Sequence, residues 1–295
     1  MTAVATPLNP ALLARVGDLE LVARIIVEGL VSGLHRSPFH GYSAEFSQYR
    51  HYRPGDDLKY VDWKLVARTD RVYTKQFRET TNMAASLVVD TSASMAFPDG
   101  DQSKARYAIV AAAALAHLIS TQGDAVGLVT ASAFLGARAG RRHLRALLAA
   151  LSSHQSGGRW NAADTVRRAA ERLGRRGLLL VFSDFYDDEE RTFAELKRAA
   201  RLGHEVVLFQ VMSRAEIEFP FRRDFEFVDL ESGDTTPVDA AEVRRQYIDD
   251  VTAFLERWRQ RAGSEGFQYA LMVSDVPHDR SLRNALLARR HGWRT

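Results

Sequence analysis

Asp90, Ser92 and Ser94 form an Asp-x-Ser-x-Ser run that follows directly on the apolar stretch Leu87-Val88-Val89. Residues at i, i+2 and i+4 of a chain leaving a strand in extended conformation turn their side chains the same way, so one carboxylate and two hydroxyls can face a common point. Such a set suits a small hard cation. Mg2+ is the natural occupant, because it takes oxygen donors, keeps several waters and often accepts only one or two protein carboxylates; Mn2+ and Ca2+ are the other divalent ions of that chemistry. The same residue types also make ordinary turns and helix caps after strands. A second apolar run ends in Val181-Phe182-Ser183-Asp184. If the two strands lie parallel, Asp184 reaches the same edge of the sheet as Asp90. Two carboxylates that converge repel each other, and a bound divalent ion removes that repulsion. Asp184 also opens the acidic run Asp187, Asp188, Glu189, Glu190, which favours the start of the following helix.

The elements that must position these residues follow from periodicity. The expected order is strand 84–90, helix 103–120, strand 125–131, helices 141–151 and 162–173, strand 178–183, helix 189–202, strand 205–211, helix 240–262 and strand 267–273. Leu178-Leu179-Leu180-Val181-Phe182 and Val206-Val207-Leu208-Phe209 are continuous apolar runs, the mark of a parallel sheet covered by helices on both faces. The fold class is therefore α/β, a doubly wound, mostly parallel sheet. Ligands of such sheets bind beyond the carboxyl ends of the strands at a topological switch point, where Asp90 is expected. Before this unit, residues 10–31 read as a helix capped by Asn9 and stopped by Gly33. From His35 to Phe77 clean periodicity is lost, and residues 1–80 read as a helical and loop-rich appendage with a turn at Arg53-Pro54-Gly55-Asp56-Asp57. Residues 81–275 form the main domain, with an insertion near 212–239, and 276–295 a helical tail.

Composition narrows the function classes. The chain has 295 residues, 46% of them hydrophobic, so it can bury a sizeable core. Forty Lys and Arg against 37 Asp and Glu leave a net charge of +3, too small to announce a nucleic-acid partner. The absence of cysteine excludes disulfides, thiolate zinc sites and cysteine nucleophiles, and suits a reducing compartment, so a cytoplasmic protein is expected. The opening MTAVATPLNP lacks the basic start of a secretory signal, and no apolar run is long enough for a membrane span. Residues 35–78 carry nine Lys or Arg among nine aromatics, a mixture able to grip single-stranded nucleic acid. Five carboxylates share that segment, and Asp56, Asp57 and Asp62 are placed to pair with Arg50, Arg53 and Arg68. The aromatics are then expected to anchor the segment, and nucleic acid is disfavoured. No P-loop, His-Glu-x-x-His pair or Gly-x-Ser-x-Gly elbow is present.

The Asp-x-Ser-x-Ser loop resembles the metal-ion-dependent adhesion site of von Willebrand factor A-type domains, which a threonine and an aspartate from later loops complete. Glu45-Phe46, Arg50-x-Tyr52-x-Pro54-Gly55-Asp56-Asp57, Val61-Asp62-Trp63, Ala67-Arg68 and Lys75-x-Phe77 resemble the core motif of the MoxR-associated von Willebrand factor A-like family, domain of unknown function 58. The resemblance implies an A-type domain that works beside a MoxR-type AAA+ ATPase in chaperone-like assembly or maturation of a protein client. It assigns Asp90, Ser92, Ser94 and Asp184 to the metal. The loop Ser156-Gly157-Gly158-Arg159-Trp160-Asn161 departs from the pattern, with Arg159 and Trp160 where a Gly-Gly-Thr is expected. Either Asn161 supplies the missing oxygen or the site is weakened, since Thr165 lies further on. The expected function is a non-enzymatic, metal-dependent protein-interaction module that binds an acidic residue of its partner through an open position on the ion. The alternatives are a metal-dependent phosphoesterase and a scaffold with a vestigial metal loop.

Overall fold

The computed structural model describes residues 9–14, 16–32, 44–53, 56, 60–79, 83–98, 103–153, 157, 160–174, 176–221, 224–228 and 235–291. Gly33, Pro54-Gly55, Asp57, Ser156, Gly158-Arg159 and the Ser232-Gly233-Asp234 turn lie outside them. A six-stranded sheet organises the chain, built from β3 (Ala84–Val89), β4 (Ala125–Val129), β5 (Phe134–Arg138), β6 (Leu178–Ser183), β7 (Glu205–Met212) and β10 (Gln268–Val273). Its spatial order is β10-β7-β6-β3-β4-β5, and every neighbouring pair is parallel except β4 with β5. The edge strand β5, absent from the expected order, comes so close to β4 that a Cβ on Gly127 would lie 2.7 Å from the Leu135 carbonyl oxygen.

Alternate residues of the central strands feed two apolar layers, as the pleat requires. Leu87, Val89, Leu180 and Phe182 face α2 (Leu19–Ser32), α4 (Lys104–Thr121), α5 (Arg141–Ser152) and α10 (His278–His291). Val88, Leu179, Val181 and Leu208 face α6 (Ala162–Arg172), α7 (Glu189–Arg201) and α9 (Ala240–Ser264). Helix α4 is buried almost all round, which its alanine run permits because small side chains let a helix sit between a sheet and other helices. None of the helices among the described residues is long and apolar enough to cross a membrane.

Several boundaries differ from the sequence expectation. The helix expected over 10–31 is two helices, α1 (Pro10–Ala14) and α2, because Asp18 takes the amides of Glu20 and Leu21 at 2.9 and 3.1 Å and starts the second one afresh. Helix α2 is part of the core layer, where Val22, Ile26 and Leu30 are buried, and α10 joins it there, with Arg283 donating to the Gly29 carbonyl at 2.9 Å. The segment expected to be loop-rich contains an antiparallel hairpin, β1 (Ala44–His51) with β2 (Tyr73–Glu79), and a short helix α3 (Trp63–Thr69) capped by Asp62. The Arg50–Asp56 pair forms at 2.8 Å, as its charges suggest. Tyr49, Tyr60 and Trp63, expected to anchor the segment, are exposed; Tyr49 instead gives its hydroxyl to Asp62 at 2.8 Å. Within 212–239 lie α8 (Arg214–Glu218) and a second hairpin of β8 (Asp224–Val228) and β9 (Thr235–Asp239).

Among the described residues Trp258 of α9 is the largest wholly buried side chain, stacked on Phe185 at 4.4 Å and meeting Phe193 edge-on at 5.8 Å. Trp258→Ala is expected to destabilise the chain by about 3–5 kcal/mol, the cost of a large cavity beneath the β6 loop. Denaturant unfolding monitored by far-UV circular dichroism measures it.

Candidate functional site

The chain leaves β3 toward β4 on one side, and after β5 crosses back to β6 on the other, so the switch point of the sheet lies between β3 and β6. The pairing ends with Val89 opposite Phe182, and the Asp90 amide still donates to the Phe182 carbonyl at 2.8 Å. Asp90 and Ser183-Asp184 thus meet at one rim. The Ser183 hydroxyl donates to Asp90 Oδ2, while Asp90 Oδ1 takes the Ser92 amide at 2.8 Å. Both Asp90 oxygens are thus hydrogen-bonded, and the Ser92 side chain adds to the bond from its backbone. The hydroxyls of Ser92 and Ser94 lie 2.9 Å apart, and the chain passes from there into a single 3-10 turn at 94–96.

Asp90 and Asp184 are both buried. Burial, followed by the negative charge of Asp184, pushes the Asp90 carboxyl up to about 7 in spite of its hydrogen bonds from Ser183 and Ser92. Asp184 is answered differently. Its Oδ2 takes the Lys104 ammonium at 2.8 Å, and its Oδ1 takes the Tyr186 amide at 3.2 Å. The same ammonium reaches Glu216 Oε1 at 2.5 Å and lies 5.0 Å from the centre of the Tyr186 ring. Burial opposes the charge on Lys104, but Asp184 and Glu216 outweigh it and hold the amine above its ordinary pKa.

Below this rim Phe185 adopts φ 60°, a left-handed conformation that costs a non-glycine residue about 1–3 kcal/mol. Its ring stacks on Trp258 and its amide donates to the Ser183 hydroxyl at 2.9 Å. The turn is thereby fixed from both its side chain and its backbone. Gln210 of β7 adds a further tie, giving its amide to the Asp184 carbonyl at 3.1 Å while its own oxygen takes the Tyr269 hydroxyl at 2.7 Å.

The donors fit a small hard cation. Asp90, Ser92 and Ser94 bring oxygen donors to one place, and Asp184 adds charge with its two oxygens already hydrogen-bonded to Lys104 and to the Tyr186 amide. Among the described residues no group of three or more His, Cys, Asp or Glu is arranged to hold a metal, so such an ion would depend on hydroxyls and water, as Mg2+ does readily. The loop before α6 approaches, since the Gly157 amide donates to the Thr91 carbonyl at 3.2 Å. Asn161, however, is exposed and caps α6, its side-chain oxygen taking the Asp164 amide at 2.8 Å. Thr165 is inside α6 and gives its hydroxyl to the Asn161 carbonyl at 2.8 Å. Trp160 packs on the apolar layer beneath, so its place in the loop is that of an anchor.

Sequence reasoning missed Lys104, Glu216 and the role of Ser183 as the partner of Asp90. Lys104 did leave a trace: it is the first residue of α4, where the helix dipole disfavours a cation. A lysine in that place needs carboxylates of its own. Glu216 left none, since it also reads as the third residue of an ordinary capping box with Ser213.

Residues 48–256 match the family model described as Protein of unknown function DUF58. The chain is 31% identical over 232 residues to an uncharacterized protein of Mycobacterium bovis, covering 76% of this chain and 73% of that protein, and equally to one of Mycobacterium tuberculosis. Among solved structures, the conserved hypothetical protein BatB from Bacteroides thetaiotaomicron is 14% identical, with 71% of this chain and 99% of that chain covered at a TM-score of 0.44.

The raised proton affinity of Asp90 makes stability depend on pH with a definite sign. Between the ordinary carboxylate pKa of about 4 and about 7, the folded chain holds a proton there that the unfolded chain has lost. Stability from this group is complete below that window and falls as pH rises through it. Urea melts of the metal-free chain at pH 4.5, 5.5, 6.5 and 7.5 should show this fall, and Asp90→Asn, which cannot ionise, should flatten it.

Proposed function

The chain belongs to the family Protein of unknown function DUF58, and on that footing we propose that it is a non-enzymatic, metal-dependent protein-interaction module of von Willebrand factor A type. One observation carries the reading. Two buried carboxylates, Asp90 and Asp184, stand at the switch point of a parallel sheet beside two serine hydroxyls, and among the described residues only Asp184 is paired with a cation. Asp90, Ser92 and Ser94 hold Mg2+, or Mn2+ or Ca2+ in its place, and Asp184 contributes charge from the β6 side. The ion, when bound, supplies an open coordination position that an acidic side chain of the partner fills.

The partner, following the resemblance set out above, is a MoxR-type AAA+ ATPase, and the pair acts on a protein client in a chaperone-like step within the cytoplasm. Hydrolysis of a phosphoester would need a group free to move a proton beside the ion. Lys104 is committed to two carboxylates that hold it charged, and Asp90 is itself a ligand, so the rim supports binding better than turnover.

Metal binding must displace the proton that Asp90 retains near neutrality. Mg2+ affinity, titrated calorimetrically on the isolated chain, is therefore expected to rise about tenfold per pH unit below pH 7 and to level above it. Association with a MoxR-type ATPase from the same organism should weaken at least tenfold on chelation and in Asp90→Ala. Indifference to both changes would remove the metal from the function.

A further inference from the structure

Lys104 is an unusual residue to find with no exposure at all, and its surroundings explain both its burial and its use. Its ammonium touches Asp184 Oδ2 at 2.8 Å and Glu216 Oε1 at 2.5 Å, two carboxylates from the loops that follow β6 and β7. Glu216 has a second task. Its Oε2 takes the Ser213 amide at 2.8 Å while the Ser213 hydroxyl takes the Glu216 amide at 3.2 Å, which closes the capping box that starts α8. At its other end α8 passes into Phe219, whose ring is buried against that of Tyr247 of α9 at 4.6 Å and whose own carbonyl takes the Arg244 guanidinium. Lys104 therefore lies in an unbroken chain of contacts from the rim carboxylate Asp184, through Glu216 and α8, to α9.

We infer that Lys104 is a positioning residue of the cation site, a built-in counter-charge that shares Asp184 with the bound ion and ties the docking of α8 to the rim. This rests on the cation site proposed above and adds to it the element through which occupancy is felt. An ammonium on Asp184 Oδ2 withholds that oxygen from the ion and adds positive charge nearby. Lys104 thus weakens cation binding while holding α8 in place. When Asp184 turns toward an ion, Glu216 alone retains the ammonium, and α8 is the neighbouring element left to readjust. The surface next to the open coordination position then differs between the ion-free and ion-bound chain, as a partner that reads occupancy requires.

Two readouts test this on the intact chain: Mg2+ affinity by calorimetry, and amide hydrogen exchange over residues 213–221 by mass spectrometry. Lys104→Met, which keeps the apolar stem and removes the charge, should bind Mg2+ at least tenfold more tightly and exchange the α8 amides at least tenfold faster. Lys104→Arg, able to reach both carboxylates, should return both values toward the wild type, a rescue that packing alone would not produce. Should Lys104→Met fail to fold, Glu216→Gln breaks the same bridge from the other side. It should speed α8 exchange without tightening Mg2+, because Lys104 then rests on Asp184 alone. Unchanged α8 protection in these variants, or Mg2+ affinity in Lys104→Met no greater than in the wild type, would overturn the inference. Failure of the wild-type chain to bind Mg2+ removes the cation site itself; loss of α8 protection in Lys104→Met would even then uphold the bridge, and its persistence would refute it.

Discussion

Negative charge buried at the carboxyl rim of a parallel sheet has to be answered by a proton, an ammonium or a metal ion, because the interior solvates none of it. Around Asp90 and Asp184 the first two answers are both in use. Burial and the charge of Asp184 raise the proton affinity of Asp90, and Asp184 takes Lys104. The two solutions differ in how easily they are reversed. A proton leaves as soon as a better cation arrives, whereas a buried ion pair broken on one side costs about 3–5 kcal/mol. The rim therefore has a half that exchanges its charge partner readily, the one that carries the serine hydroxyls, and a half at Asp184 that yields only in competition with Lys104.

The rest of the fold keeps these halves adjacent. Register between β3 and β6 places Val89 opposite Phe182, so the two acidic loops begin at the same level. Stacking of Phe182 on Phe209 at 4.5 Å links β6 to β7 on one face of the sheet, and Phe185 on Trp258 fixes the loop from the other. The left-handed turn at Phe185 stays in place because its cost is comparable to what a stacked aromatic pair contributes beyond burial, about 0.5–1.5 kcal/mol, added to the area that ring buries.

The parallel sheet and its helices were legible because their signal is local: continuous apolar runs for β6 and β7, an alanine-rich helix for α4, and Asp-Ser loops at strand ends. Asp90 and Asp184 could be paired from sequence alone for the same reason, since strand ends of a parallel sheet share a rim. What could not be read depends on contacts between distant segments. Lys104 and Glu216 are 112 residues apart, and neither spacing nor composition connects them. The β1–β2 hairpin escaped because its pairing is interrupted by a bulge between Phe46 and Gln48 and its strands lack clean alternation. Asn161, expected as one possible oxygen donor, stands immediately before α6 and gives its side-chain oxygen to the helix cap.

The departure at residues 156–161 from the expected Gly-Gly-Thr has a structural counterpart. A loop that brought a threonine hydroxyl to a cation would need its backbone free to approach the rim, whereas Trp160 is partly buried and packs against the layer that holds Val88, Val129 and Val166. That packing anchors the chain at Trp160, and the Gly157 amide donates to the Thr91 carbonyl inside the Asp-x-Ser-x-Ser turn. A site organised in this way gives up one protein oxygen in return for a turn held in place before any ion arrives. For a cation that retains several waters, a water can take the vacated position at little cost. On the proposed reading such a rim would favour Mg2+ over Ca2+, which draws on six to eight oxygens and would have to take more of them from water here.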